Sequence, residues 1–285
     1  MKRILLTGRN GQVGWELQRT LAPLGEVTAY GYAELDLADP GRLAAAIRDA
    51  KPDVIVNAAA YTAVDQAESD IETAMAINAT APGILAEEAK RLGALLVHYS
   101  TDYVFDGRKD SPYTEEDTPN PLNAYGRSKL AGEQAILTSD CRHVILRTSW
   151  VYGNRGRNFL RTMLRLAAER DELRVVNDQT GAPTWSRMIA EATALALARA
   201  EPPLGLYHLA SAGATTWHGF AAAILDLTQA SRSCQPRLSP CTTAEYPLPA
   251  ARPPNSRLDC GRLAREAGLG LPDWKAALEF CLAGE

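Results

Sequence analysis

A tyrosine and a lysine stand four positions apart in the segment NAYGRSKLAGE, residues 123–133. In a helix, residues at this spacing lie on one face, so Tyr125 and Lys129 would be neighbours. A phenol has an ordinary pKa of about 10 and is a weak acid at neutral pH, but a nearby ammonium group lowers that pKa. The pair therefore suits proton donation to a carbonyl oxygen that receives hydride. An ordinary exposed pair on a helix would have the same spacing.

Three glycines follow the first predicted strand at intervals of three residues. Gly8, Gly11 and Gly14 lie in LLTGRNGQVGWEL, between an apolar run and a helical pattern. Such glycines permit a tight turn, close approach of the backbone to a pyrophosphate, and packing of helix on strand, while the helix N-terminus faces the phosphates. The spacing differs by one residue from G-x-G-x-x-G. We predict a dinucleotide site, with simple turn chemistry as the alternative.

The type of dinucleotide depends on the end of the second predicted strand. Folds that bind NAD often carry an acid there for the ribose 2′-hydroxyl, whereas an arginine suits the 2′-phosphate of NADP. The segment TAYGY, residues 28–32, has no acid, and Arg9 stands in the glycine loop. We predict NADPH or NADH with a slight preference for NADPH, although Arg9 could be an ordinary loop charge. Asp36 and Leu37 are predicted neighbours of the adenine.

Hydroxyl and carboxyl side chains follow the fourth predicted strand. The segment HYSTDYVFDG, residues 98–107, places Ser100, Thr101 and Asp102 where that strand ends. In open α/β sheets, ligands bind at the carboxyl ends of the strands. A glycine loop, a hydroxyl-rich strand end and Y-x-x-x-K in this order form a constellation that chance explains poorly. A simple capping role for Asp102 is the alternative.

Strand and helix patterns alternate along the first half of the chain. We predict strands at 3–7, 26–30, 53–59, 94–101 and 142–149, and helices at 13–25, 40–50, 71–93 (with a bend near Pro82) and 123–137. The strand at 53–59 is apolar without alternation, as in sheets covered on both faces. The alternation predicts an α/β fold with a Rossmann-like, doubly wound parallel sheet.

The regular alternation of strand and helix patterns stops in the second half of the chain. Helical patterns at 156–170 and 184–200 are separated by loops, and a proline-rich stretch covers 245–259. We predict a dinucleotide-binding Rossmann domain at residues 1–150 and a smaller mixed α/β substrate domain at residues 151–285. No flexible linker pattern separates them, so we expect interleaved domains with the ligand in the cleft between them.

Composition argues against several classes of protein. The chain has 285 residues, is 46% hydrophobic and carries a net charge of −4 without a basic tract, so nucleic acid is not an expected partner. Five scattered cysteines without a C-x-x-C pair give little support to a zinc site and suit a reducing compartment. No apolar run approaches the ~18 residues of a membrane span. We predict a cytoplasmic protein without a membrane partner.

Seven segments, spread over essentially the whole chain, carry a family resemblance. They are GQVGWEL (11–17), PDVIVNAAAYTAVDQAE (52–68), HYSTDYVFDG (98–107), PLNAYGRSKLAGE (121–133), RTSWVYG (147–153), NDQTGAPT (177–184) and RPPNSRLD (252–259). Together they resemble the dTDP-4-dehydrorhamnose reductase family of the extended short-chain dehydrogenase/reductase superfamily. The resemblance implies NAD(P)H-dependent reduction of the C4 ketone of dTDP-4-dehydro-L-rhamnose, a nucleotide sugar, to dTDP-L-rhamnose for polysaccharide biosynthesis.

The resemblance also implies roles for individual residues. Tyr125 would protonate the nascent alkoxide, Lys129 would tune the tyrosine and hold the ribose, and Thr101 would hydrogen-bond near the substrate carbonyl. Asp102 and Trp150 would contact the sugar, although a tryptophan after a strand also suits the core. The residues implied to line the cofactor, besides Tyr125 and Lys129, are Gly11, Gln12, Val13, Asp36, Leu37, Ala60, Tyr61, Thr62 and Tyr99.

Two further features are left open. Asn255 and Arg257 could hydrogen-bond the nucleotide diphosphate or brace a surface loop. Some relatives are described as using a divalent cation at a dimer contact, and Glu16 matches part of that pattern. The full set of carboxylates is not found, so no metal is predicted. A homodimer is a possible assembly.

Other functions share parts of the pattern. Sugar-nucleotide dehydratases place an acid pair after the threonine, whereas Tyr103 follows Asp102 here. Another epimerase or reductase of nucleotide sugars is an alternative, because epimerases share the glycine loop and Y-x-x-x-K. A non-catalytic subunit resembling the regulatory β-subunit of methionine adenosyltransferase is another. Thr101, Tyr125 and Lys129 are all present, which favours an enzyme.

Overall fold

Six parallel strands form the central sheet of this computed structural model, which describes residues 1–231 and 234–284. The strands of the chain are β1 (Lys2–Thr7), β2 (Gly25–Tyr30), β3 (Val54–Asn57), β4 (Leu95–Thr101), β5 (His143–Thr148), β6 (Val151–Tyr152), β7 (Glu172–Val176), β8 (Thr180–Gly181), β9 (Thr184–Trp185), β10 (Gly205–His208), β11 (Thr215–Thr216) and β12 (Arg237–Cys241). The order across the sheet is β10-β5-β4-β3-β1-β2. The predicted Rossmann-like parallel sheet is confirmed.

Helices cover both faces of this sheet and build the remainder of the molecule. They are α1 (Gln12–Thr20), α2 (Pro40–Ala50), α3 (Ile71–Met75), α4 (Ala81–Leu92), α5 (Ala124–Ser139), α6 (Phe159–Glu169), α7 (Ser186–Ala198), α8 (Trp217–Leu227), α9 (Gly261–Ala267) and α10 (Trp274–Ala283). None of the helices within the described ranges has the length and apolar character needed to cross a membrane.

Local sequence signals explain where several helices begin and end. Asp39 caps α2 by accepting a hydrogen bond from the backbone N–H of Arg42 at 3.0 Å, and Pro40 occupies the first helical position. At the end of α4, Gly93 adopts a φ of 68°, a left-handed conformation that costs glycine little. Such signals define the residues at which α2 begins and α4 ends.

Two layers of apolar side chains hold the helices against the sheet. Leu17 of α1 and Ile189 of α7 pack on one face, and Leu43 of α2 and Leu85 of α4 pack on the other. All four are fully buried, and each such side chain stabilises the fold by about 1.5–3 kcal/mol. Burial on both faces explains why the central strands are apolar without alternation.

The structure differs from the predicted elements at several places, of which three bear on the central sheet. The helix predicted at 71–93 is divided by a π-helical turn, Ala76–Thr80, which lies before Pro82 rather than at it. The predicted end of the first helix at residue 25 was wrong, because Ala22–Leu24 forms a separate 3₁₀ turn containing a proline. Strand β10 was not predicted, since its four residues are too short to show a period.

The second half of the chain contributes to two regions. Strand β10 pairs with β5 at the edge of the central sheet, and α7 packs beside α1. The other region has its own core around Tyr152, Phe220 and Leu278, beside the parallel pair of β7 and β12. The division into domains at residue 150, with interleaving, stays a prediction.

Helix α5 approaches the π-helical turn through Gly132. A Cβ atom added at this glycine would lie 2.0 Å from the backbone carbonyl oxygen of Asn78. We predict that Gly132→Ala lowers the free energy of unfolding by about 1–3 kcal/mol, although Gly→Ala inside a helix ordinarily stabilises by roughly 0.5–1 kcal/mol. Urea unfolding measures the change.

A matched control for this prediction is Gly41→Ala in α2. There the nearest atom to an added Cβ is 3.6 Å away, so this variant should be as stable as the wild type or slightly more stable. Equal midpoints of unfolding for the two variants would contradict the proposed close contact of α5.

Candidate active site

A groove with a volume of about 550 Å³ runs along the carboxyl edge of the sheet. The loops that follow β1, β2 and β3 line it, together with the ends of β4 and β5 and one face of α5. Of the residues predicted to bind the cofactor, those that line the groove are Gly8, Gly11, Gln12, Val13, Asp36, Leu37, Ala60, Thr62, Tyr99, Tyr125 and Lys129. The structure thus brings most of the predicted set together.

The glycine loop brings backbone segments into close contact at the start of the groove. Gly8 has a φ of 75°, and a Cβ atom there would lie 2.6 Å from the carbonyl carbon of Ala58. Gly14 does not line the groove; a Cβ there would lie 2.0 Å from the carbonyl oxygen of Gly8, so it serves the packing of α1 on β1. Gly11 occupies the N-cap position of α1, so no side chain caps the first backbone N–H groups of that helix. The loop and helix N-terminus therefore fit a pyrophosphate group.

Tyr61 is the other predicted cofactor residue that does not line the groove. Its phenol donates a hydrogen bond to Asp70 at 3.0 Å, and its backbone N–H and C=O both bond the side-chain amide of Asn78 at 2.9 and 3.0 Å. Asn78 also donates to the hydroxyl of Ser128 in α5, at 3.0 Å. Tyr61 is thus part of the contact between the loop after β3 and α5.

The small residues next to Tyr125 set the position of α5. Asn123 caps the helix by accepting the backbone N–H of Gly126 at 2.7 Å. A Cβ atom at Gly126 would lie 2.2 Å from the carbonyl oxygen of Tyr103. Only a glycine permits this approach, which brings the first turn of α5 against the loop after β4. The helical placement of Tyr125 and Lys129 is as predicted from their spacing.

Lys129 is a buried cation, with 2% of its surface exposed. Its Nζ atom donates a hydrogen bond to the carbonyl oxygen of Tyr99 at 2.6 Å and lies 3.3 Å from Nε2 of His98. Burial lowers the pKa of Lys129 to about 8, and the nearby carboxylate of Glu133 opposes that fall. His98 continues the chain of polar contacts to the Asn57 amide, 3.0 Å from its Nδ1 atom.

The pKa of Tyr125 moves in the direction opposite to the predicted one. Burial raises it to about 12; a hydrogen bond with the Thr101 hydroxyl opposes the rise and the charge of Asp102 adds to it. Lys129 is not among the groups that shift this pKa, and one N–H of its ammonium group is donated to the carbonyl oxygen of Tyr99. Tyr125 therefore keeps its proton throughout the neutral range, as a proton donor must.

Thr101 and Asp102 lie together at the end of β4. The Thr101 hydroxyl donates to Oδ1 of Asp102 at 3.1 Å and accepts the backbone N–H of Tyr103 at 3.2 Å. Asp102 is buried, and burial raises its pKa to about 6, while the hydroxyls of Ser256 and Thr101 limit the rise. Its Oδ2 atom has no well-formed hydrogen bond within the described residues. That oxygen is itself buried, and Ser149 is a further hydroxyl that lowers the pKa of the carboxyl group.

Trp150 adopts a left-handed backbone conformation, with a φ of 46°. Its ring stacks on Trp217, with centroids 3.6 Å apart and planes 7° from parallel. A Cβ atom at Gly181 would lie 2.5 Å from the same indole. The ring is thus packed against protein, and the predicted contact with a sugar stays a prediction.

A second cavity, with a volume of about 820 Å³, lies between α6, β7, α8 and the segment 241–252. Aromatic and basic side chains share its lining; they include Tyr103, Phe159, Arg170, Arg174, Trp217, Tyr246 and Arg252. Tyr103 lies edge-on to Tyr125 with ring centroids 5.8 Å apart, so it connects this cavity with the groove. Cavities of this size hold small organic ligands. Sequence reasoning missed these residues because they are distant in the chain.

Asn255 and Arg257 contact a loop of the protein. The Asn255 amide donates to the carbonyl oxygens of Lys109 and Ser111 at 2.5 and 3.0 Å. Arg257 donates to Oδ1 of Asn255 at 2.9 Å and to the carbonyl oxygen of Asp110. These contacts favour the interpretation that the two residues brace a surface loop.

Two charged residues named from the sequence have protein partners. Arg9 forms an ion pair with Glu34, an acid in the loop after β2 that sequence reasoning missed. Glu16 pairs with Nε of Arg187 at 3.3 Å. No group of three or more potential metal ligands occurs among residues 1–231 and 234–284.

Comparison with known proteins gives consistent matches over the whole chain. Residues 1–285 match the family described as the RmlD substrate binding domain. A dTDP-4-dehydrorhamnose reductase of Burkholderia thailandensis is 53% identical, and one of Escherichia coli K12 is 48% identical; the alignments cover 98% of this chain and 98% and 96% of those proteins. The crystal structure of dTDP-4-dehydrorhamnose reductase from Bacillus anthracis in complex with NADP matches with a TM-score of 0.94 and 35% identity, covering 100% of this chain and 99% of that one.

The buried carboxyl group of Asp102 should make stability depend on pH. Because its folded pKa of about 6 lies above the unfolded value, its favourable contribution is complete below about pH 4 and is lost as the pH rises through 6. We predict that Asp102→Asn gains stability relative to the wild type between pH 4 and 7, by up to ~3 kcal/mol. Urea unfolding across this range measures the difference.

Asp106→Asn is the control of opposite sign. The backbone N–H of Arg108, together with Asn120 and Tyr113, lowers the pKa of Asp106. This variant should therefore lose stability relative to the wild type as the pH rises. A pH-independent difference between Asp102→Asn and the wild type would show that Asp102 does not carry the expected shift.

Proposed function

The chain belongs to the dTDP-4-dehydrorhamnose reductase family, and from that premise we propose that it reduces the C4 ketone of dTDP-4-dehydro-L-rhamnose to dTDP-L-rhamnose with NADPH or NADH. One observation carries the proposal. Tyr125 lines the dinucleotide groove and contacts Tyr103, which lines the second cavity. A proton donor thus stands where a cofactor in the groove and a nucleotide sugar in the cavity would meet.

The groove residues support binding of the dinucleotide. Gly8 and Gly11 leave room for the pyrophosphate at the start of α1, and the buried hydroxyls of Ser100 and Thr148 line the groove without partners among the described residues. When bound, the reduced nicotinamide supplies hydride to the ketone carbon. Lys129 would hold the adjoining ribose, since its ammonium group is fixed by Tyr99 on the groove wall.

Proton transfer is assigned to Tyr125. As the carbonyl oxygen gains negative charge, the phenol of Tyr125 would donate its proton to it. The alkoxide is a stronger base than the phenolate, so the transfer is favourable even with the Tyr125 pKa at about 12. Thr101, whose hydroxyl bonds Tyr125, would take part in hydrogen bonding near the same oxygen.

The second cavity would hold the nucleotide sugar. Its aromatic side chains suit the base and sugar faces, and Arg170 and Arg174 suit the phosphates. Asp102 and Trp150 remain the proposed sugar contacts. The position of Asp102 beside Thr101, which bonds Tyr125, supports this role for the carboxyl group.

Location and assembly remain part of the proposal. No disulfide joins any two of the five cysteines, all of which lie in the described ranges, and this supports a reducing, cytoplasmic location. A homodimer is proposed from the family resemblance alone. The product would supply L-rhamnose for cell-surface polysaccharide.

The first test is direct turnover. Purified protein mixed with NADPH or NADH and freshly made dTDP-4-dehydro-L-rhamnose should consume the reduced cofactor, followed by its absorbance, and yield dTDP-L-rhamnose, identified by mass and NMR. Consumption only with other nucleotide-linked ketosugars would redirect the substrate assignment, and cofactor binding without turnover would favour a regulatory subunit.

A second prediction concerns the proton donor. Tyr125→Phe should lower kcat by a factor of about 10²–10⁴, because the alkoxide loses its acid, while the affinity for the reduced cofactor remains near the wild-type value. Tyr207→Phe is the matched control: its phenol bonds Glu266 outside the groove, so this variant should keep wild-type turnover. A Tyr125→Phe enzyme with an unchanged rate would remove Tyr125 from the mechanism.

A further inference from the structure

An arginine–glutamate ion pair lies at the end of the groove where β1 and β2 finish. Arg9 donates through Nη2 to Glu34 and through Nη1 to the carbonyl oxygen of Ala29 at 3.2 Å. The second carboxylate oxygen of Glu34 accepts the backbone N–H of Gly31 at 2.9 Å. The side chains of Arg9 and Glu34 are 37% and 42% exposed. Neither residue lines the groove itself, but Gly31, whose N–H bonds Glu34, does.

Polar side chains surround Gly31, which lines the groove. A Cβ atom added there would lie 2.7 Å from Nδ2 of Asn10, 3.0 Å from Oε2 of Glu34 and 3.5 Å from Nε of Arg9. These polar side chains pack closely around the glycine, and a Cβ atom there would have to displace the Asn10 amide. A hydroxyl or phosphate group entering beside Gly31 would meet a carboxylate and a guanidinium together.

The position of this ion pair corresponds to the adenosine ribose site of dinucleotide-binding folds. The adenosine ribose lies at the ends of the first two strands, where an acid bonds the 2′-hydroxyl of NADH or an arginine binds the 2′-phosphate of NADPH. In this protein both groups are present, and each is the partner of the other. Arg9 is therefore not freely available to a phosphate, and Glu34 is not an unpaired charge.

We propose, on the premise of the proposed function that a nicotinamide dinucleotide occupies the groove, that Glu34 sets the preference between NADH and NADPH by holding Arg9. With NADH, the carboxylate of Glu34 accepts a hydrogen bond from the 2′-hydroxyl while Arg9 remains paired. With NADPH, Arg9 must exchange the carboxylate for the 2′-phosphate, and the phosphate then stands beside a negative charge. The ion pair thus weakens a preference for NADPH that Arg9 alone would confer.

Equilibrium binding tests this role without turnover. We measure the dissociation constants of NADPH and NADH for the full-length protein by the change in cofactor fluorescence at low ionic strength. In Glu34→Gln, NADPH should bind on the order of tenfold more tightly, because Arg9 is released and the repulsion is removed. NADH should bind equally or more weakly, so the ratio of the two constants shifts toward NADPH.

Two further variants make the measurement specific. In Arg9→Met, Glu34→Gln should shift the ratio by a smaller factor than in the wild type, since the hold on the arginine is gone and only the direct contacts of Glu34 with the ribose remain. Asp53→Asn is the matched control, because Asp53 also pairs with an arginine, Arg3, and accepts a backbone N–H, but at the opposite end of β1. It removes the same charge and should leave the ratio unchanged.

The outcomes separate this role from the proposed function. If the wild type binds neither dinucleotide, both the proposed function and the role of Glu34 are overturned. If it binds both and the ratio is the same in Glu34→Gln, the role of Glu34 alone is overturned. An equal shift in Asp53→Asn would also overturn it, because the effect would then be one of net charge. Raising the salt concentration should reduce the Glu34→Gln shift.

Discussion

One buried cation, Lys129, constrains the arrangement of the whole site. Removing an ammonium group from water costs several kcal/mol unless hydrogen bonds replace the lost hydration. Here the carbonyl oxygen of Tyr99 and the ring of His98 supply those contacts, and both belong to β4. Helix α5 is therefore tied to the end of β4 at one point. Tyr125, one turn earlier on the same helix face, is placed at the carboxyl edge of the sheet as a result.

Close contacts of the helix with other backbone segments, at positions where glycine has no side chain, make this placement possible. Gly126 lets α5 touch the carbonyl oxygen of Tyr103, and Gly132 does the same at Asn78 two turns later. Because each contact is between helix and backbone, no rotamer change can relax it. At the start of the groove, Gly14 likewise lets α1 approach the backbone of Gly8. Glycines thus set the distances between the elements that carry the polar groups.

One physical cause, desolvation, shifts the three central titratable groups. Burial raises the pKa of Tyr125 to about 12 and that of Asp102 to about 6, and it lowers that of Lys129 to about 8. In each case the neutral form becomes easier to populate. A polar ketone entering this environment would find Tyr125 protonated, in a setting where hydrogen bonds are stronger than in water.

Local pattern was enough to predict the sheet, the glycine loop and the shared helix face of Tyr125 and Lys129, because periodicity and i,i+4 spacing depend only on near neighbours in the chain. The same patterns could not show that Arg9 pairs with Glu34, that Trp150 stacks on Trp217, or that β10 completes the sheet. Sequence reasoning also gave the wrong direction for the Tyr125 pKa. Partner and burial are properties of segments brought together from distant parts of the chain, so only the tertiary structure decided them.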